Sequence, residues 1–299
     1  MRMVLRALST AGLVAGAAAL ASSSDTVQSY DLAGKPAWTA VLPDELAEVS
    51  GLAFTADGRL YAHGDEVGVV HRLDPRSGRI LSSFSLAPTG REPDLGKKGG
   101  KGATGRELVG DFEGIAIAGS RFFLVTSNGV LLEFAEGANG ARVPYTAHVT
   151  RLGSICELEG AEHDPGGGDL LLLCKGPRGK GLGTDVRIYA WSLAQRRLTP
   201  TPSLTVRYSD IARVTRRREF NGSGLAVRSG GKSIVLVAGP QRAFAEVSRD
   251  GRVLVGGVFP PGVQRQPEGV AFAPDGALLV SSEAAGRRAT LSGYLPVRR

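Results

Sequence analysis

The sequence predicts an all-β fold made of a repeated unit of short strands, and three observations support this prediction. Glycine accounts for 42 of 299 residues, about twice the ~7% of average proteins, which indicates many turns. A short pattern recurs along the chain: an acidic or hydroxyl residue, then glycine, then a small or aliphatic residue. After the N-terminal segment, apolar residues show no sustained helical period. A chain with 42% hydrophobic and 22% charged residues is also too apolar for a disordered protein.

The recurring pattern marks the start of each repeated unit. Each copy is followed by a turn sequence, such as Asp57-Gly58 or Asp275-Gly276, and then by an apolar strand. Asp-Gly between apolar runs is a strong signal for a β-hairpin. Four-stranded units with a period of about 40–50 residues are typical of the blades of a β-propeller. The copies are Ser50-Gly51, Glu113-Gly114, Glu159-Gly160, Ser223-Gly224 and Glu268-Gly269.

Five copies predict a single propeller of five blades, with six as the alternative. The two long gaps between copies contain residues 88–111 and 208–221, which are either loop insertions or a degenerate sixth blade. The last unit ends near Tyr294 and is one strand short. Residues 27–41 are expected to supply this outer strand and close the ring, which would remove exposed sheet edges. A β-sandwich is the other architecture considered, but it does not explain the recurring pattern.

The N-terminus has the features of a secretory signal peptide. Arg2 and Arg6 form a basic start, an apolar stretch follows, and Ala19-Leu20-Ala21 fits a cleavage site. The apolar core of about 15 residues is shorter than the ~20 that a membrane-spanning helix needs. We therefore predict a signal peptide at residues 1–21, a propeller domain at residues 22–299, and export to the periplasm or cell envelope. A retained anchor is the alternative.

Charge and cysteine content limit the choice of partners. The formal net charge is +7, but the basic clusters Lys97-Lys98 and Arg216–Arg218 are not interleaved with aromatic residues, as a base-stacking surface requires. Nucleic acid is therefore not expected as a partner. A solvated basic surface is the preferred interpretation, with weak attraction to an anionic membrane as the alternative. Cys156 and Cys174 flank one predicted hairpin, so a disulfide is geometrically feasible and is left open.

The predicted topology collects acidic side chains at one mouth of the propeller. The pattern opens the innermost strand of each blade, and the antiparallel second strand returns to the same face. Carboxylates gathered there repel one another unless they bind a cation, pair with a base or hold protons. The residues expected at this channel mouth are Glu66, Glu113, Glu159, Glu268, Glu283, Lys175 and His63.

Calcium is the expected cation, since hard oxygen ligands suit Ca²⁺, and Glu113, Glu159 and Glu268 are its candidate ligands. The structural alternative is that these repeated glutamates accept backbone N–H bonds from the neighbouring blade, while the glycines allow close approach of the strands. His63, with carboxylates nearby, is the candidate for acid–base chemistry in an enzymatic alternative.

The five motifs, in order, resemble those of the SdiA-regulated family (YjiK/CarP-like proteins). They include Asp111-Phe112-Glu113-Gly114 and Gln266-Pro267-Glu268-Gly269. The resemblance implies an exported or membrane-associated bacterial β-propeller with no established enzymatic activity, and some relatives are linked to calcium. Lys175 stands where relatives often carry an acidic residue, and it is a candidate to neutralise a rim carboxylate. A more distant resemblance, to esterase-like phytase propellers, is limited to the motifs around Glu113 and Glu268.

These observations predict a non-enzymatic binding protein of the cell envelope. Its acidic channel mouth is expected to hold Ca²⁺ or a small ligand. Two alternatives are kept: a metal-dependent hydrolase of the phosphoesterase or phytase type, and a scaffold for an envelope protein.

Overall fold

A computed structural model describes residues 29–96, 107–177 and 183–297. The predicted signal peptide at residues 1–21 and the lysines of the first insertion lie outside these described residues. Within the described ranges, no helix has the length and apolar character that crossing a membrane requires.

Five antiparallel sheets form the blades, and each copy of the recurring pattern lies at the innermost strand of one sheet. Strands are given from the innermost to the outermost. Blade 1 contains Val49–Phe54, Leu60–Gly64, Val69–Leu73 and Ile80–Leu86. Blade 2 contains Phe112–Ala118, Arg121–Thr126, Val130–Ala135 and Tyr145–Val149. Blade 3 contains Cys156–Asp164, Asp169–Pro177 and Asp185–Ser192, with Arg197–Leu198 and Leu204–Arg207 both paired to the third strand.

The last two blades complete the ring. Blade 4 contains Gly224–Val227, Ser233–Ala238, Ala243–Ser248 and Val253–Val258. Blade 5 contains Pro267–Phe272, Leu278–Ser282, Thr290–Tyr294 and Trp38–Val41. The prediction of a five-bladed propeller is confirmed. The expected closure by an N-terminal strand is confirmed as well, because Trp38–Val41 pairs antiparallel with Thr290–Tyr294.

The remaining elements are short. Ser29–Tyr30 pairs with Pro296–Val297, and Arg142–Val143 adds a parallel strand to the outer edge of blade 1. Two 3-10 turns cover Asp44–Leu46 and Leu152–Ser154.

The second insertion forms a helix, Tyr208–Thr215, rather than part of a sixth blade. No helix was predicted there, because two turns are too short to show a helical period. Asp210 lies in the first turn and pairs with Arg207 and Arg213, which favours the helix. Ile211 is buried and anchors the helix in the core shared by blades 3 and 4.

The propeller axis is closed at the level of the recurring glycines. The inner strands enclose a cavity of only about 10 Å³, room for about one water molecule. A Cβ atom placed on Gly224 would lie 2.0 Å from the carbonyl oxygen of Glu268, and one on Gly114 would lie 2.6 Å from the amide nitrogen of Ala161. Both obstacles are backbone atoms of the next blade. The pattern therefore repeats because glycine allows adjacent inner strands to approach closely, and the channel is closed at this level.

A buried ion pair holds the N-terminal segment against the ring. Arg228 donates to both carboxylate oxygens of Glu246, at 2.8 and 2.6 Å. The same guanidinium lies over the rings of Tyr30 and Phe272, 5.3 and 5.5 Å from their centroids. Cation–π contact and charge pairing thus fix the start of the described chain on blades 4 and 5.

Cys156 and Cys174 form a disulfide between the first two strands of blade 3, with their Cα atoms 5.7 Å apart. The pairing that the sequence left open is therefore present in the structure. The bond joins residues 18 positions apart in the chain. In the unfolded protein it therefore closes a short loop of the chain.

Replacing both cysteines with serine is expected to lower the free energy of unfolding by about 3 kcal/mol, the value for a closed loop of similar length. Urea denaturation of the oxidised protein, compared with the Cys156→Ser/Cys174→Ser variant, measures this loss. Dithiothreitol should shift the midpoint of the parent protein and leave the double variant unchanged. Equal midpoints for the parent and the variant would contradict the prediction.

Candidate functional site

A cavity of about 850 Å³ opens between blades 1 and 5, on the face where the inner strands begin. We call it the acidic cleft. Carboxylates dominate its lining, and no lysine or arginine occurs among the described residues that border it. In a chain of net charge +7, this is a strong local concentration of negative charge. The seven carboxylates are Asp44, Glu45, Glu48, Asp65, Glu66, Glu107 and Glu283.

The strand register of blade 1 brings part of this set together. Val49 pairs with Gly64, so the residue before the first strand and the residues after the second lie side by side. The amide of Asp65 donates to the carbonyl of Glu48 at 3.2 Å, and the amide of Ala284 in blade 5 donates to that of Ala47 at 2.9 Å. The second bond joins the blade 1 and blade 5 walls of the cleft.

Glu48, Asp65 and Glu66 have the spacing of a cation site. Each offers a carboxylate oxygen, and these oxygens lie within 4.8 Å of one another. Of the residues that the structure describes, only this group meets that criterion. Each residue supplies one carboxylate oxygen to the group, and Ca²⁺ takes 6–8 oxygen ligands, waters included, in a flexible geometry. The donor set therefore fits calcium.

The three predicted ligands Glu113, Glu159 and Glu268 lie instead at the centre of the ring. Burial, followed by the charges of Glu159 and Asp111, raises the pKa of Glu113 to about 10. Burial also raises the pKa of Glu159 to about 7, against the opposing effect of Lys175, and raises the pKa of Glu268 well above its usual range.

Lys175 supplies the positive charge of this central cluster. Its Nζ donates to Glu159 Oε1 at 2.8 Å and lies 4.0 Å from Glu157 Oε1. Protons and a lysine therefore compensate these glutamates, and their role as calcium ligands stays a prediction.

Two of the other predicted residues border the acidic cleft. Glu66 and Glu283 both line it, and Gln266 Nε2 donates to Glu283 Oε2. Burial, followed by the charges of Asp65 and Glu48, raises the pKa of Glu283 to about 7.

His63 lies in the protein interior. It is fully buried, and its Nδ1 lies 2.9 Å from the carbonyl oxygen of Gly64. Gly51 is its register partner, and a Cβ there would lie 2.5 Å from Nε2. Burial lowers the pKa of His63 to about 4. The ring therefore covers Gly51 and packs against the inner strand.

His71 is a cleft residue that the sequence did not single out. It is 7% exposed and lines the cleft, and its Nδ1 lies 2.7 Å from Ser83 Oγ. Nε2 is then the ring nitrogen that remains available to the cleft. Burial lowers the pKa of His71 to about 4, against the opposing charge of Glu45, so the imidazole is neutral at pH 7. Asp44, Glu45 and Glu107 were missed as well, because they lie on segments between the repeated strands.

Comparison with known proteins supports the fold class. No family model matches the chain, and no curated protein matches it. Solved β-propellers resemble it in structure. The glutaminyl cyclase of Myxococcus xanthus has 14% identity and a TM-score of 0.54 over 88% of this chain and 97% of that one. A luciferin-regenerating enzyme has 10% identity and a TM-score of 0.51 over 87% and 95%.

A third likeness is to the PQQ-bound aldose sugar dehydrogenase of Streptomyces coelicolor, with 12% identity and a TM-score of 0.50 over 88% of this chain and 99% of that one. At these identities, the likeness shows the propeller fold alone. The protein is thus a β-propeller with an acidic cleft at one face.

Proposed function

We propose that this protein is a non-enzymatic binding protein of the cell envelope that takes up a cation, Ca²⁺ in the first instance, in the acidic cleft. The observation that carries the proposal is the group of Glu48, Asp65 and Glu66, set within a cavity lined by seven carboxylates. Carboxylates at this density repel one another, and a bound cation relieves that repulsion. A cleft lined by charges of one sign also raises the local concentration of the opposite ion.

Two features support placement outside the cytoplasm. The Cys156–Cys174 bond is of the kind that persists in oxidising compartments. The pattern of residues 1–21 is that of a secretory signal. The motif order further supports a relation to the SdiA-regulated propellers.

Calcium is expected to raise the melting temperature, because a ligand that binds only the folded state stabilises it by mass action, about 2.7 kcal/mol at a concentration 100 times Kd. Isothermal titration calorimetry of the propeller with CaCl₂ gives the affinity. The Glu48→Gln/Asp65→Asn variant should lose both the heat and the thermal shift. Asp57→Asn, in the hairpin turn at the far end of blade 1, is the matched control and should retain both.

Other results would redirect the assignment. Loss of calcium binding in Glu113→Gln/Glu268→Gln, but not in the cleft variant, would place the site at the centre of the ring. Absence of binding by the parent protein would contradict the proposal. Turnover of phosphoesters or lactones that depends on cleft residues would favour the hydrolase alternative.

A further inference from the structure

The three asparagines of the chain, Asn128, Asn139 and Asn221, share one feature, because each is followed directly by glycine. In an Asn-Gly pair, the amide nitrogen of the glycine can attack the side-chain carbonyl carbon of the asparagine, since glycine has no Cβ to shield that nitrogen or to restrict its backbone angles. A folded protein suppresses this reaction where hydrogen bonds hold the two reacting groups in place. The three pairs differ in this respect.

Asn128 is held at both reacting groups. Its Oδ1 accepts a hydrogen bond from Thr126 Oγ1 at 2.6 Å, and its Nδ2 donates to the carbonyl oxygen of Asp94 at 2.8 Å. The amide of Gly129 donates to the carbonyl oxygen of Thr126 at 2.9 Å. These bonds must loosen before the pair can react, and each lost bond adds to the barrier.

Asn139 is held in a similar way by one residue of the neighbouring blade. The amide of Ser83 donates to Asn139 Oδ1 at 2.9 Å, and the amide of Gly140 donates to the carbonyl oxygen of Ser83 at 2.7 Å. Although this turn is exposed, the outer strand of blade 1 therefore fixes both of its reacting groups.

Asn221 and Gly222 lack such restraints. Among the described residues, neither the side chain of Asn221 nor the amide of Gly222 has a hydrogen-bond partner, whereas the backbone amide of Asn221 donates to Gln241 Oε1 at 3.0 Å. Both residues lie outside regular secondary structure, just before the inner strand of blade 4, and Asn221 is partly exposed to water. The nucleophile, the carbonyl carbon and water can therefore meet at this pair.

We propose that Asn221 is a site of spontaneous deamidation in the folded protein. The nitrogen of Gly222 bonds to Cγ of Asn221 and gives up its proton, and the side-chain nitrogen leaves as ammonia, so that a five-membered succinimide forms. Water then opens this ring at one of its two carbonyl groups. The products are aspartate and isoaspartate, and the sequence of steps needs no oxidant and no enzyme.

The modification would change the charge of the face at which the inner strands begin. Asn221 stands two positions before its copy of the recurring pattern. Either product adds one negative charge at this position and makes blade 4 resemble blades 1, 2 and 3. The residues at the same position in those blades are Glu48, Asp111 and Glu157.

Peptide mapping by mass spectrometry, after incubation of the full chain at mildly alkaline pH, tests the proposal. In the folded protein, deamidation at Asn221 should be at least about tenfold faster than at Asn128 or Asn139, a difference of about 1.4 kcal/mol in activation free energy. In urea all three pairs lose their hydrogen bonds, so the three rates should converge. The other two pairs thus act as controls within the same molecule.

The Asn221→Gln variant tests the consequence for the protein. A glutamine would have to close a six-membered ring, which forms more slowly, so the variant should keep its charge on ion-exchange chromatography and its melting temperature after incubation. The parent should become more acidic and melt at a lower temperature. Isoaspartate lengthens the backbone beside Ser223, whose Oγ donates to the carbonyl oxygen of Pro267 in blade 5 at 2.6 Å.

Two results would overturn the proposal. One is faster deamidation at Asn128 or Asn139 than at Asn221 in the folded protein. The other is an Asn221 that reacts in urea but stays intact in the folded protein, because the native structure would then protect it as it protects the other two.

Discussion

Gly224→Ala is expected to destabilise the propeller by at least about 3 kcal/mol, the upper range for overpacking a tight core. The new Cβ would lie 2.0 Å from the carbonyl oxygen of Glu268, a backbone atom of the neighbouring blade that cannot rotate away. Blade 5 would have to shift, and because the inner strands contact one another around a closed ring, the shift would spread to the other blades. Urea denaturation followed by circular dichroism measures the loss.

Two further substitutions test how the loss of stability depends on the atom that the new Cβ meets. Gly114→Ala meets the backbone of Ala161 at 2.6 Å, whereas Gly160→Ala meets a side-chain atom of Leu225 at 2.9 Å. A side chain can move, so the cost should fall in the order Gly224, Gly114, Gly160. The matched control is Gly176→Ala in blade 3, where a Cβ would meet no atom within 4 Å. If Gly224→Ala were as stable as Gly176→Ala, the glycines would not be what allows the ring to close.

Glu113→Gln is expected to stabilise the protein at alkaline pH and to flatten the dependence of its stability on pH. Burial raises the pKa of Glu113 from 4.5 to about 10, so the folded state holds a proton that the unfolded state has lost. The stabilisation from this proton is complete below pH 4.5 and is lost as the pH rises toward 10. While only the folded state keeps the proton, each pH unit costs about 1.4 kcal/mol of unfolding free energy. A glutamine is neutral at every pH and avoids this cost.

The difference in slope between the parent and Glu113→Gln measures this effect, because Glu268, whose pKa is also raised well above its usual range, is present in both proteins. The range chosen is pH 7.5 to 9.5. His63 and His71 titrate below it, because burial lowers the pKa of each to about 4. Urea denaturation across this range gives the decrease in unfolding free energy per pH unit. This decrease should be smaller in Glu113→Gln, by up to the value for one proton, about 1.4 kcal/mol. Asp250→Asn is the matched acid-to-amide control, since hydrogen bonds from Ser248 and Arg252 lower the pKa of Asp250. An unchanged slope in Glu113→Gln would show that Glu113 is ionised in the folded protein.

The sequence predicted the fold well because the feature that determines it is local and repeated. Each copy of the pattern begins the same strand–turn–strand unit, and the number of copies gives the number of blades. The glycines of these copies are Gly51, Gly114, Gly160, Gly224 and Gly269. The missing strand of blade 5 was predicted from the incomplete last unit. What the sequence did not reveal was how near the inner strands come to one another. The channel is closed because backbone or side-chain atoms of neighbouring residues lie close to each of these glycines.

The candidate site was predicted only in part, because it is built largely from residues between the repeats. Glu66 and Glu283 follow second strands and were expected at the mouth, and both line the cleft. Glu45 belongs to a 3-10 turn, and His71 lies on the third strand of blade 1. Pattern spacing gives no signal for either position. His63 and His71 also show that residue type alone does not assign a role, since one packs on a glycine and the other faces the cleft.

The strand Trp38–Val41 has a consequence for how the chain folds during synthesis. It leaves the ribosome before any other strand of the five blades, yet its partner, Thr290–Tyr294, is the last of them to be made. The first four blades have all their strands available while blade 5 waits for the final segment. Contacts between such distant parts of a chain form slowly, because a long loop must close before any pairing is gained. Until then, the nascent chain carries an unpaired strand edge at each end of an open ring, which makes the final pairing the step at which misassembly with a second copy competes with folding.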